Sequence, residues 1–210
     1  MSAHALSFVH VFRPAGRSGL PPLLLLHGTG GNETDLLTLG EAVAPGAALL
    51  SPRGQVLERG APRFFRRLAE GVFDENDIRR RAADLARFVA EARDAYGIER
   101  PVALGYSNGA NIAAAVALLH PDALAGAALL RPMAPFRDPP AVRLDGTPIL
   151  ILSGAADPIA TPESVARLER TFSAAGAAVS HETTLAGHGL TRDDLAAASR
   201  WLAAAPATAS

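Results

Sequence analysis

Gly105-Tyr106-Ser107-Asn108-Gly109 is the segment whose residue types and spacing could carry covalent chemistry. The apolar run Pro101-Val102-Ala103-Leu104 leads into it, and an alanine-rich helical pattern over residues 108–119 leads out. A serine on so sharp a strand-to-helix turn has its hydroxyl thrust out at the carboxyl end of a sheet. The flanking glycines let neighbouring backbone pass where a side chain would clash. The pattern reads as a nucleophile elbow. By composition alone G-x-S-x-G would arise about 0.1 times in such a chain, and the competing reading is a serine capping an ordinary helix. What weighs between them is whether the other parts of an acyl-transfer site are present.

A serine hydroxyl is a poor nucleophile until a base takes its proton, and the base needs an orienting acid. On a strand-turn-helix elbow the chain order is Ser, then acid, then His. Of the histidines after Ser107, His120 ends a helical pattern before Pro121, where a cation suits the helix dipole. His181 lies inside a strand pattern. His188 sits between glycines in Ala186-Gly187-His188-Gly189-Leu190, after the last strand and before the last helix, so it is the expected base. Asp157 follows the strand Ile149-Leu150-Ile151-Leu152 and is the expected acid, with Asp-Pro turn chemistry as its rival reading. Asp138 and Asp145 precede that strand, and Asp193 and Asp194 suit the first turn of the last helix. An oxyanion hole needs two preorganised N–H donors. The amide of Asn108 is the expected first donor and that of Thr29 the second. Thr29 lies in His27-Gly28-Thr29-Gly30-Gly31-Asn32, where three glycines let the backbone fold close to the site. A phosphate loop is disfavoured there, because the segment has neither the Lys-Ser/Thr ending nor G-x-G-x-x-G spacing. His27 comes too early in the chain to be the base and reads as a structural hydrogen-bonding residue.

The elements that must position these groups alternate along the chain. Strands are predicted over 6–12, 22–27, 47–51, 101–105, 124–130, 148–153 and 178–184, and helices near 34–44, 77–96, 108–119, 162–175 and 191–203. Continuous apolar runs such as Leu23-Leu24-Leu25-Leu26 suit strands buried on both faces of a mainly parallel sheet. In the helix over 77–96, Ile78, Ala82, Leu85, Val89, Ala92 and Tyr96 recur at three- and four-residue steps, and Gly97 stops it. The expected architecture is α/β, a three-layer fold with about seven strands. One domain over 1–203 and a frayed tail over 204–210 are expected. Residues 52–75 show no strong period, and an irregular segment of that length is either functional or wrongly assigned. The connection from Arg131 to Thr147 leaves little room for a large cap domain.

Composition closes off several functions. The net charge is −1 and the basic residues, all Arg, are dispersed, so no nucleic-acid partner is implied. Arg79-Arg80-Arg81 falls on the predicted long helix and reads as a solvated face. There is no Cys, which excludes disulfides, thiolate metal sites and a cysteine nucleophile. No apolar run reaches the roughly 18 residues of a membrane span, and no signal peptide is evident. A cytoplasmic location is the default expectation.

Together these residues resemble the α/β-hydrolase superfamily, and within it the small bacterial phospholipase/carboxylesterase family, related to acyl-protein thioesterases and dienelactone hydrolases. The matching segments are residues 26–33, 105–110, 154–158 and 186–190, with Phe64-Phe65-Arg66-Arg67 and Gly71-Val72-Phe73-Asp74 resembling that family's loop before its long helix. The resemblance covers essentially the whole chain. It implies a serine hydrolase with Ser107, Asp157 and His188 as triad, no cofactor, no metal, and an assembly that is often a homodimer. Dienelactone hydrolases use a cysteine nucleophile, so Ser107 speaks against that activity. The expected substrate is a small-molecule carboxylic ester with a short to medium acyl chain. An acyl-thioesterase or lysophospholipase would use the same triad, and a non-catalytic binding protein of this fold is the third reading. Phe64, Phe65, Phe73, Met133 and Ile159 are candidate pocket walls, each with core packing as an equal alternative.

Overall fold

A computed structural model describes residues 6–204 of the chain. In chain order the strands are β1 (His10–Arg13), β2 (Leu23–Leu26), β3 (Leu49–Pro52), β4 (Val56–Glu58), β5 (Ala61–Arg63), β6 (Arg67–Ala69), β7 (Val72–Phe73), β8 (Val102–Tyr106), β9 (Gly126–Leu130), β10 (Pro148–Gly154) and β11 (Ala178–Thr184). The helices are α1 (Leu37–Val43), α2 (Glu75–Tyr96), α3 (Asn108–Leu119), α4 (Pro162–Ala174) and α5 (Arg192–Ala204). One seven-stranded sheet runs in the order β1-β3-β2-β8-β9-β10-β11. Only the β1–β3 pairing is antiparallel; the other five are parallel. This is the α/β-hydrolase architecture without a large cap: residues 131–147 join β9 to β10 with no helix or strand of their own.

The leucine run of β2 shows why the sheet is parallel and covered. Leu24 and Leu26 pack into one apolar cluster with Phe88 of α2, Ile112 of α3 and Phe172 of α4, while Leu23 and Leu25 join the opposite cluster with Val43 of α1 and Leu202 of α5. Successive side chains of a strand point to opposite faces, so a strand coated on both sides must be apolar at every position. Ile149 and Ile151 against Leu150 and Leu152 repeat the division in β10. Parallel pairing also brings the carboxyl ends of β2, β8, β10 and β11 to one rim, the edge from which the expected site residues depart.

Sequence and structure differ at four places. The first strand covers His10–Arg13 rather than 6–12, because Phe8 turns inward to pack on Phe88, with ring centroids 5.0 Å apart. The first helix begins at Leu37 because Asn32 Oδ1 accepts from the amide and hydroxyl of Thr34, closing an Asx turn that competes with helix. The aperiodic segment 52–75 holds two hairpins, β4–β5 and β6–β7, too short to show a period. The expected tail starts inside α5, which runs to Ala204; residues 205–210 lie outside those described. Asp74 caps α2 by accepting from the Asp77 amide, and Gly97 ends it at φ 63°. Arg79 is less free than a solvated face implies, its guanidinium lying 4.7 Å over the Phe136 ring. Among the described residues no helix is long and apolar enough to cross a membrane.

Candidate active site

Ser107 occupies the single residue between β8 and α3 at φ 52° and ψ −112°. A non-glycine residue there stores roughly 1–3 kcal/mol of backbone strain. Its amide donates to the Leu130 carbonyl (2.8 Å), and its own carbonyl accepts from Asn111 (3.0 Å), so strand and helix both hold the turn. The flanking glycines are required by close approach. A Cβ on Gly105 would lie 2.5 Å from the Gly109 carbonyl oxygen, and one on Gly109 would overlap the Leu26 carbonyl.

His188 and Asp157 arrive from the carboxyl ends of β11 and β10. Ser107 Oγ stands 2.8 Å from His188 Nε2, and His188 Nδ1 stands 2.8 Å from Asp157 Oδ2. The other carboxylate oxygen, Asp157 Oδ1, accepts from the amides of Ile159 (2.8 Å) and Ala160 (3.0 Å). Burial works to raise the Asp157 pKa, but the hydrogen bonds from His188 and from those two amides outweigh it, and the carboxyl lies below its ordinary range. An ionised Asp157 accepts a hydrogen bond from His188 Nδ1–H, which keeps the proton on Nδ1 and leaves Nε2 as the acceptor facing the serine hydroxyl. That tautomer is the one a general base needs.

The loop carrying His188 is held by two residues that sequence reading missed. Arg131 donates from Nε to the Gly187 carbonyl (2.9 Å) and from a terminal nitrogen to the Gly189 carbonyl (3.1 Å). Tyr106, beside Ser107, donates its hydroxyl to the His188 carbonyl (3.1 Å). The three consecutive carbonyls of residues 187–189 are thus pinned. Arg131 is fully buried at φ 54° and pairs through both terminal nitrogens with Asp194, at 2.9 and 2.7 Å. Asp194 also accepts from the Thr191 amide at 2.7 Å. A signal existed: an arginine directly after the apolar strand Gly126–Leu130 falls in the interior and therefore needs an acid partner.

Of the expected oxyanion donors, Asn108 is the first residue of α3, where backbone amides have no acceptor within the helix. In the loop of Thr29, the Gly30 amide donates to Pro62 and the Gly31 amide to Gly28, so these two are engaged. His27 is the structural residue expected: Nδ1 donates to the Gly28 carbonyl (2.7 Å) and Nε2 accepts from the Gly54 amide (3.0 Å). Burial lowers its pKa and so favours the neutral ring that this pattern demands, opposed mainly by that Gly28 hydrogen bond.

The pocket expectation needs correction. Phe64 and Phe65 are core residues, 3% and 0% exposed, because the β4–β7 segment folds its aromatics under itself; Met133 is also buried. Phe73 borders a separate cavity with Phe136 and Glu75, and Ile159 is partly buried with its amide on Asp157. An open cleft of about 490 Å³ beside the Thr29 loop is lined by Gly28, Thr29, Gly31, Asp35, Leu36, Tyr106 and Leu190, none of them among the expected walls. The rival acids Asp138 and Asp145 are exposed, and Asp145 pairs with Arg143. A second Ser-His-acid chain exists: Ser153 Oγ is 2.8 Å from His181 Nε2, and His181 Nδ1 is 2.9 Å from Glu169. It has no oxyanion donors, since Ser153 lies within β10 and the amides of Ala155 and Ala156 already bond Thr184 and Ala186. We read it as a tie between α4 and edge strand β11. Among the described residues no group of three or more His, Cys, Asp or Glu side chains could hold a metal ion.

Three groups favour stability at neutral pH and lose it in acid. Asp194 resembles Asp157: burial raises its pKa, but the bonds from Arg131 and Thr191 bring it below normal. Carboxyls with depressed folded values contribute above about pH 4 and lose that contribution as pH falls through the folded value. His27, with its folded value below the ordinary range of about 6.5, adds a loss beginning as the unfolded chain protonates first. The melting temperature is therefore expected to begin falling below about pH 6.5 through His27 and to fall further below about pH 4 through the two carboxyls, and calorimetry showing a flat profile from about pH 7 to about pH 3 would contradict these assignments.

A mainly parallel sheet with a strained serine at its rim, beside a histidine and an aspartate from later strands, defines the α/β-hydrolase class. Comparison with known proteins agrees. A family model described as alpha/beta hydrolase fold matches residues 21–146. The chain is 46% identical over 181 residues to MhqD of Bacillus subtilis (strain 168), provisionally named a hydrolase, covering 85% of this chain and 90% of that one. It is similar to the crystal structure of the Bacillus cereus carboxylesterase, at 45% identity and a TM-score of 0.92 over 95% of each chain. Another similar structure is a carboxylesterase from Mesorhizobium loti, at 37% identity and a TM-score of 0.90 over 95% of this chain and 96% of that one. The chain belongs to the α/β-hydrolase fold family.

Proposed function

We propose that this protein is a serine carboxylesterase acting on small esters of short to medium acyl length. The observation that carries the reading is the unbroken chain Asp157–His188–Ser107, with both links at 2.8 Å. His188 Nε2 takes the proton of Ser107 as Oγ attacks the ester carbonyl. The amides of Thr29 and Asn108 meet the charge developing on the carbonyl oxygen. His188 then passes the proton to the departing alkoxide, leaving an acyl-Ser107. Water, deprotonated by the same imidazole, attacks the acyl carbon and returns serine and carboxylic acid. Asp157 stays ionised and steadies the imidazolium in both halves. The names of the B. cereus and M. loti relatives support ester rather than amide chemistry, and the open cleft without a cap supports small acyl groups.

The test joins a fluorophosphonate probe to a panel of p-nitrophenyl esters from C2 to C12, set beside acyl-CoA thioesters of matching length. Labelling is expected on Ser107, with kcat/KM highest at the short end of the ester series. Folded protein that the probe leaves unlabelled overturns the enzyme reading. Preference for the thioesters turns it into a thioesterase.

A further inference from the structure

We propose that Pro62-Arg63-Phe64 is a brace that sets both oxyanion donors, with Arg63 as a positioning residue acting through Thr29; this rests on the reading of Ser107 as nucleophile. Each of the three consecutive residues holds one wall of the hole. The Pro62 carbonyl accepts from the Gly30 amide at 2.9 Å. Arg63 donates from a terminal nitrogen to Thr29 Oγ1 at 2.6 Å. The Phe64 amide donates to Asn108 Oδ1 at 2.8 Å. The β2–β8 ladder pairs Leu26 with Gly105, three residues short of each donor, so the ladder itself does not reach either amide. The brace links the two.

Two features fit a functional brace better than mere packing. Arg63 is 2% exposed, and its carboxylate partner Glu58 lies at 3.4 Å, farther than the threonine hydroxyl. Burying a guanidinium for so loose an ion pair is costly, whereas a cation behind the Thr29 loop has the sign that opposes oxyanion charge. Asn108 Nδ2 is buried without a partner, so its amide is turned to serve Phe64 and leaves its own donor unsatisfied. A buried orphan donor costs roughly 1–3 kcal/mol.

Thr29→Val keeps the backbone amide and removes only the hydroxyl. Arg63→Met removes the fork and charge, and Arg63→Lys keeps the charge alone. Thr29→Val and Arg63→Met are each expected to lower kcat on p-nitrophenyl acetate about tenfold with KM within about twofold, since a misplaced donor weakens only transition-state binding. Arg63→Lys should fall between. The double variant should be no slower than the worse single one, because both act through one contact. A trifluoromethyl ketone that forms an oxyanion adduct should lose affinity in proportion to kcat/KM. Unchanged kcat, multiplying losses, or ketone affinity that stays constant would each overturn the brace. Thr29→Val, nearly isosteric, carries the test if Arg63→Met fails to fold. An active Ser107→Ala variant would overturn the underlying reading instead.

Discussion

Ser107→Ala is expected to lower kcat for ester hydrolysis by on the order of 10⁴- to 10⁶-fold while KM changes little. The serine contributes the bond that forms, so nothing in the remaining site replaces it; the residual rate would come from substrate held against the oxyanion donors. His188→Ala should cost about as much, and Ser107→Ala/His188→Ala no more than either alone, because nucleophile and base act as one unit. Asp157→Asn should cost less, roughly 10⁴-fold, by presenting the wrong imidazole tautomer to the serine. Steady-state kinetics on p-nitrophenyl acetate reads all four, and an Ala variant within tenfold of the natural enzyme would remove Ser107 from the mechanism. Stability should move the other way for Ser107→Gly. Glycine accepts φ 52° without strain, so that inactive variant should be more stable by about 1 kcal/mol.

The second large effect is expected at a residue that touches no substrate. Asp194→Ala removes the partner of Arg131 where both side chains are 0% exposed. Stranding a buried guanidinium costs about 3–5 kcal/mol, a fall of roughly 6–20 °C in melting temperature for a chain of this size. Arg131→Met should be at least as damaging, since it strands the carboxylate and leaves the Gly187 and Gly189 carbonyls without their side-chain donor. The informative variant is Arg131→Met/Asp194→Leu. Replacing both members of a buried pair by apolar groups can restore much of the stability. It cannot restore the hydrogen bonds on either side of His188. The double variant should therefore melt well above Asp194→Ala while its kcat stays low. Recovery of both together would mean the pair is only structural.

Much of this arrangement could be read from the chain. G-x-S-x-G between an apolar run and an alanine-rich helix placed Ser107, and the order of elements placed Asp157 and His188 on the same rim, because parallel strands deliver their carboxyl ends to one edge. The continuous leucine and isoleucine runs gave a sheet covered on both faces. Local rules of this kind need only neighbours in sequence. They failed where the partner lies far along the chain. Asp194 read as an ordinary acid in a helix's first turn, and only the fold, bringing it to Arg131 across 63 residues, makes it part of the support of the His188 loop. Phe64 and Phe65 read equally as pocket walls or as core, because nothing local distinguishes an aromatic facing a cleft from one turned into the core.

The sequence by itself determined the chemistry that is possible here: a serine on a strained turn, a histidine between glycines and an aspartate after a strand, with no thiol to compete. Tertiary structure decided which of two Ser-His-acid chains has its serine on a turn at a helix start rather than inside a strand. It also decided which residues hold the His188 and Thr29 loops, and what lines the cleft beside Thr29. The physical reason is that catalytic residue types follow from their own chemistry, whereas positioning comes from hydrogen bonds and burial between segments whose distance in space is set only when the sheet closes around its helices.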